Sequence, residues 1–167
     1  MMNTKRLTIA ALLTSLAIVI PFAVFFKVMV PPFSATLGSH VPMFIAMLLG
    51  PEAAIMAGLG SALGFFLTLG PIVGARAAMH IIVGVVGAVL IKRGMSFGKV
   101  ATITAPIHGL LEMLVIIPFV DFDLHNLLVI TGVGTVLHHA VDAFIAYVII
   151  NILQKSETIS TAFTNNN

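Results

Sequence analysis

Residues 71–91 read PIVGARAAMHIIVGVVGAVLI. A run of this length and apolarity crosses a bilayer core as one helix, which takes about 20 residues. Yet Arg76 and His80 stand inside it, and hydrocarbon excludes ionisable groups unless a partner, a pathway or a binding site retains them. The two lie four residues apart, about one helical turn, so they share a face. The spacing recurs further along, as His108 with Glu112 and as His138 with Asp142.

The rest of the chain is the setting in which those pairs must be tolerated. Hydrophobic residues make up 59% of it and charged residues 8%, against about 25% charged in soluble domains. Eight basic and six acidic side chains cannot cover a water-facing surface, so the exterior faces a lipid bilayer and the fold class is an all-α integral membrane protein. The net charge of +2 is dispersed, without a basic run interleaved with aromatics, which sets nucleic acid aside. Cysteine is absent, excluding disulfides, thiolate metal sites and cysteine nucleophiles. No Gly-x-x-x-x-Gly-Lys-Ser/Thr loop occurs, so any ATP dependence must come from other chains.

Six membrane stretches can be drawn. The first covers about residues 7–26, and its apolar part is too long for a signal-peptide core. The second and third crowd into 41–69 around the turn Gly50-Pro51-Glu52, so the second is short or tilted. The fourth is 71–91, the fifth 100–119, and the sixth lies within 127–153, delayed or bent by Thr131-Gly132-Val133-Gly134. This predicts one six-helix domain over 1–155 and a polar, frayed tail over 156–167. Placing both termini in the cytoplasm puts Lys5, Arg6, Lys92, Arg93, Lys99 and Lys155 inside and leaves Lys27 and Arg76 toward the outside, as the positive-inside rule favours. The longest outward connection, 27–40, is stiffened by Pro31 and Pro32 and reads either as a lid or as a plain connector.

Small residues mark where helices approach. Ala10, Ala11, Thr14, Ser15 and Ala17 fall on one broad face of the first stretch, with Ala11 and Ser15 at small-x-x-x-small spacing; Gly60 with Gly64, near Gly58, forms a second stripe. Such faces signal contact without saying whether the neighbour belongs to the same chain.

In the proposed orientation Arg76 and His80 occupy the outer part of their helix. Glu112 lies roughly 9 Å below the outer end of the fifth at 1.5 Å per residue. His138 reaches a comparable depth only if the sixth helix starts near Thr131, and the outward-opening pocket depends on that late start. A pocket opening outward follows, with His40, Arg76, His80, His108, Glu112 and His138 as substrate-binding residues and Asp142 holding His138 or His139. Each has a structural alternative. Arg76 can snorkel to the headgroups, His80 and His108 can be satisfied neutral imidazoles, Glu112 can simply bond His108, and His40 can cap the second helix. Two His/acid pairs could also supply four metal ligands, but the His-Glu-x-x-His pattern is absent; no metal, cofactor or enzymatic activity is expected.

The basic start Lys5-Arg6 leading into Leu12-Leu13-Thr14-Ser15-Leu16-Ala17, the stretch Ser39-His40-Val41-Pro42-Met43-Phe44, the following Gly50-Pro51 and the six-span length resemble the substrate-binding (S) subunits of energy-coupling factor (ECF) vitamin transporters, over about residues 5–155. The resemblance implies a bacterial plasma-membrane protein that captures a vitamin outside under its first loop. It further implies docking on a transmembrane coupling protein with two ATPase subunits and toppling to release the cargo. The family docks through Ala-x-x-x-Ala in the first span, where this chain has Ala11 and Ser15. An Arg fork matches carboxylate, so a small acid is favoured, pantothenate ahead of niacin; the absence of Trp argues against riboflavin. The rivals are a stand-alone proton-coupled carrier, disfavoured by the lack of an internal repeat, and an intramembrane metal enzyme.

Overall fold

The computed structural model describes residues 2–121 and 123–155. The tail expected over 156–167 lies outside them. The chain runs through helix α1 (Thr4–Ala23), a hairpin of β1 (Lys27–Val30) and β2 (Phe33–Thr36), and helices α2 (Val41–Leu49), α3 (Pro51–Leu69), α4 (Pro71–Lys92) and α5 (Phe97–Ile116). A π-helical segment (Asn126–Val133) then feeds α6 (Gly134–Gln154). Five of these helices are long and apolar enough to cross a membrane, the last being the continuous stretch Asn126–Gln154.

The second expected span departs from that pattern. At 9 residues, α2 is about 13 Å long at 1.5 Å per residue, too short to cross by itself. All nine of its residues are buried in protein, so its apolar character reflects a core helix and not a lipid-facing one. What precedes it completes the path: the segment 37–40 descends into the bundle, where the backbone N–H groups of Gly38 and His40 donate to Asp142 of α6 at 2.7 and 3.0 Å. The far end of α2 meets the start of α1, with Arg6 Nη2 donating to the Leu49 carbonyl. Irregular backbone at that depth is tolerated only where protein satisfies it, and Asp142 does so here.

Turn chemistry explains the sharp reversals. Gly50 (φ 117°) and Gly70 (φ 85°) end α2 and α3 in backbone regions that favour glycine, and Pro51 and Pro71 open the helices that follow. The Gly60/Gly64 stripe belongs to an intramolecular contact. A Cβ built on Gly64 would sit 2.5 Å from the Ile18 carbonyl of α1, and one on Gly60 2.7 Å from that of Thr14. The broad small-residue face expected on α1 is split by this packing: Ala10 and Ala17 are buried, whereas Ala11 and Ser15 are exposed.

The first loop is a β-hairpin, which helical periodicity could not foresee. Its strands pair antiparallel from Lys27 with Thr36 to Val30 with Phe33, and Pro31-Pro32, joined by a cis peptide, forms the turn. β1 is exposed throughout, while Phe33 and Thr36 of β2 are buried. The hairpin thus lies on the bundle by one strand. The last helical stretch begins by Asn126, so Thr131-Gly132-Val133-Gly134 does not delay it to Thr131 as expected; π geometry runs over Asn126–Val133, α6 proper begins at Gly134, and His138 still reaches the cavity from this earlier start.

Candidate functional site

All six residues expected to form a pocket come together under the hairpin. α4 contributes Arg76 and His80 on one face, α5 contributes His108 and Glu112, α6 contributes His138, and the descending segment brings His40. Five of them, with Ser34 and Thr36 of β2, Ser39 of the descending segment and Phe65 of α3, line a cavity of about 20 Å³, room for roughly one water molecule. His108 stands behind it, its ring centroid 5.0 Å from that of His80.

Arg76 is the centre of the arrangement, and it is 3% exposed, so it does not snorkel. Its five N–H donors all have acceptors. Nε and Nη2 donate to Glu112 Oε2 at 3.1 and 2.7 Å, Nη1 donates to the Pro32 carbonyl and Ser34 Oγ at 3.2 and 3.1 Å, and Nη2 also donates to the Ser34 carbonyl at 3.2 Å. Phe33 places its ring 5.3 Å from the guanidinium carbon, a cation–π contact. The guanidinium therefore ties α5 to the turn of the hairpin. The outward cationic cluster expected from the sequence is instead internally neutralised, because a buried charge needs a counter-charge and Glu112, one helix away, supplies it. Glu112 Oε2 also accepts from Thr135 Oγ1. His108, its expected partner, is a looser neighbour, Nε2 to Oε1 being 3.4 Å.

Asp142 organises the second half of the site. Besides the two backbone N–H groups, its carboxylate accepts from His40 Nδ1 at 2.7 Å and lies 3.1 Å from His138 Nε2. The orienting role foreseen for Asp142 thus falls on His138 and His40, and not on His139. His138 Nε2 donates to the Thr36 carbonyl at 3.1 Å. His40 makes no side-chain cap to α2; its ring packs instead at centroid distances of 4.6, 4.8 and 4.5 Å from His80, His108 and His138. An imidazole-walled, water-poor chamber results, with an Arg–Glu pair at one edge.

Sequence reasoning missed Ser34, Ser61 and Thr135. Ser61 Oγ lies 2.8 Å from His80 Nδ1. Ser61 and Thr135 were detectable as polar residues inside apolar stretches, whereas Ser34 carried no periodic signal.

No family model matches this chain, and no solved structure does. The chain is similar to the niacin transporter NiaX of Lactococcus lactis subsp. cremoris (strain MG1363), at 33% identity over 170 residues that cover 92% of this chain and 77% of that protein.

Proposed function

Because the chain belongs to the substrate-binding (S) subunits of ECF vitamin transporters, we propose that it captures niacin from outside the bacterial plasma membrane. It is a multi-pass membrane protein of vitamin uptake; the choice of niacin over pantothenate rests on the chemistry of the pocket and on the name of the relative. A flat pyridine carboxylate suits a chamber walled by imidazole rings, with its carboxylate on the Arg76 fork. Glu112 Oε2, the Asp142 carboxylate and the Thr36 carbonyl, which the hydroxyls of pantothenate could otherwise use, already accept from Arg76, Thr135, His40 and His138. That leans the reading away from the pantothenate preference drawn from the sequence.

The observation that carries the proposal is the saturation of Arg76. With every donor engaged, a carboxylate reaches it only by displacing Pro32 and Ser34 of the hairpin. Cargo entry is thereby coupled to hairpin opening, and the cavity, too small for any vitamin as it stands, expands in the same step. His40, His80 and His138 surround the ring, His108 and Glu112 hold the inner wall, and the chain itself performs no chemistry.

Ala11 and Ser15, exposed on α1, offer the face for the ECF coupling protein, which brings two ATPases. In this reading both termini are cytoplasmic, 1–155 is one membrane domain, and no cofactor is required for capture. Equilibrium binding of labelled niacin and pantothenate to the purified chain in detergent tests it: niacin binds, Arg76→Ala loses binding, and liposomes holding the chain alone accumulate nothing. Accumulation without ATPases would indicate a stand-alone carrier instead.

A further inference from the structure

The hydrogen-bond directions behind the pocket leave an unfilled position. His139 Nε2 lies 3.2 Å from both the Ala101 carbonyl and Thr104 Oγ1; the Thr104 hydroxyl proton goes to the Val100 carbonyl at 2.8 Å, so both neighbours of that nitrogen accept and it carries the proton. Neutral His139 then presents a lone pair at Nδ1, and His108 Nδ1, 3.2 Å away, donates to it. With its proton at Nδ1, His108 has a lone pair at Nε2. That atom is fully buried and has no hydrogen-bond partner, and it faces Glu112 Oε1 at 3.4 Å. The carboxylate has the complementary shortage: Arg76 and Thr135 all bond Oε2, which leaves Oε1 open. Two electron-rich atoms facing each other in a buried site call for a cation between them.

His80 supplies a third donor. Its Nδ1 is engaged with Ser61 Oγ, which leaves Nε2 for the pocket. His80, His108 and Glu112 each offer one ligand atom within 4.8 Å of the others. Bonds of about 2.0–2.1 Å to a tetrahedral ion require separations of roughly 3.4 Å, so side-chain shifts of about an ångström close the site. Each ligand is already oriented from behind, His80 by Ser61, His108 by His139 and Glu112 by Arg76 and Thr135, as metal ligands characteristically are.

We propose that His80 Nε2, His108 Nε2 and Glu112 Oε1 bind one divalent transition-metal ion of the zinc or cobalt class, with its fourth position turned toward the cavity. The inference builds on the pocket of the preceding section only in its consequence for cargo. Arg76 and Glu112 cancel, so the ion adds net positive charge beside the fork and favours an anion there. A pyridine nitrogen or a carboxylate oxygen is a suitable fourth ligand.

The test uses the full chain in detergent, with any affinity tag removed and metals stripped by chelation. Titration with Co²⁺, read by visible absorption and competed with Zn²⁺, is expected to saturate at one ion per chain. His108→Ala and Glu112→Gln are expected to weaken it at least about tenfold, while His125→Ala, at an exposed site, leaves it unchanged. His80→Asn serves if His108→Ala fails to fold, and thermal unfolding monitors each variant. Failure of Co²⁺ to bind, or binding that Glu112→Gln and the foldable histidine variant retain, overturns the proposal. Labelled niacin measured on stripped and loaded protein separates the two readings. Niacin binding without any metal site rejects the ion and keeps the capture function, whereas a metal site without binding of any vitamin rejects the capture function and keeps the ion.

Discussion

Two regions of this molecule solve opposite problems at similar burial. Where α3 meets α1, contact is made by removing side chains: Gly60 and Gly64 let backbone touch backbone, and the polar side chain at the contact, Thr14, bonds within its own helix to the Ala10 carbonyl. Under the hairpin, contact is made by pairing charges and dipoles: Arg76, Glu112, Thr135, His40, His138 and Asp142 all bond one another or nearby backbone. The first region tolerates no added volume; the second tolerates no lost partner. Close packing is a main source of helix association in lipid, and ionisable groups there are costly, so the polar region is the one whose presence points to a function.

Removing one charge should separate the regions most widely. Arg76→Ala leaves Glu112 buried and uncompensated, a destabilisation of about 3–5 kcal/mol, visible as a large fall in unfolding temperature in detergent, together with loss of niacin binding. The double variant Arg76→Met/Glu112→Leu is expected to recover most of the stability and none of the binding. Recovery of both would mean that the pair is structural only. Asp142→Asn removes a charged acceptor shared by the descending segment and two histidines. It should cost about 1.5–3 kcal/mol and weaken binding by displacing His40. Gly64→Ala tests the other region: overpacking against Ile18 should cost about 1–3 kcal/mol with niacin affinity retained, and a loss of affinity there would erase the distinction. The smallest effect on stability, within about 0.5 kcal/mol, is expected for Ser15→Leu on the exposed face of α1. That substitution is nevertheless expected to abolish uptake in vesicles carrying the complete ATP-driven module.

What could be read in advance followed from locality. The i, i+4 pairs share a helix face whatever the tertiary fold, and the apolar runs and the Gly60/Gly64 stripe are equally local. The pairs account for Arg76, His80, His108, Glu112 and His138 as candidates; His40 belongs to none of them and is read from its place at the start of the second stretch. Which of these residues bond one another is not local, because Glu112 chooses between His108 beside it and Arg76 on another helix, and only the packing of α4 against α5 decides. The link from Asp142 back to Gly38 and His40 spans more than 100 residues and leaves no periodic trace. The same holds for α2: an apolar stretch buried by protein reads like one buried by lipid. Only its 9-residue length distinguishes the two, and that length is set by the descent of 37–40 into the bundle.

The central claim is that Arg76 exchanges its bonds to the hairpin for the carboxylate of a cargo. The most direct measurement compares the affinity of niacin with that of nicotinamide, which lacks the charge, for wild type and for Arg76→Gln. The wild type is expected to prefer niacin at least tenfold, and the variant to lose this preference along with most of its affinity. Equal affinities of the wild type for the two ligands, or a preference that survives in Arg76→Gln, would contradict the claim.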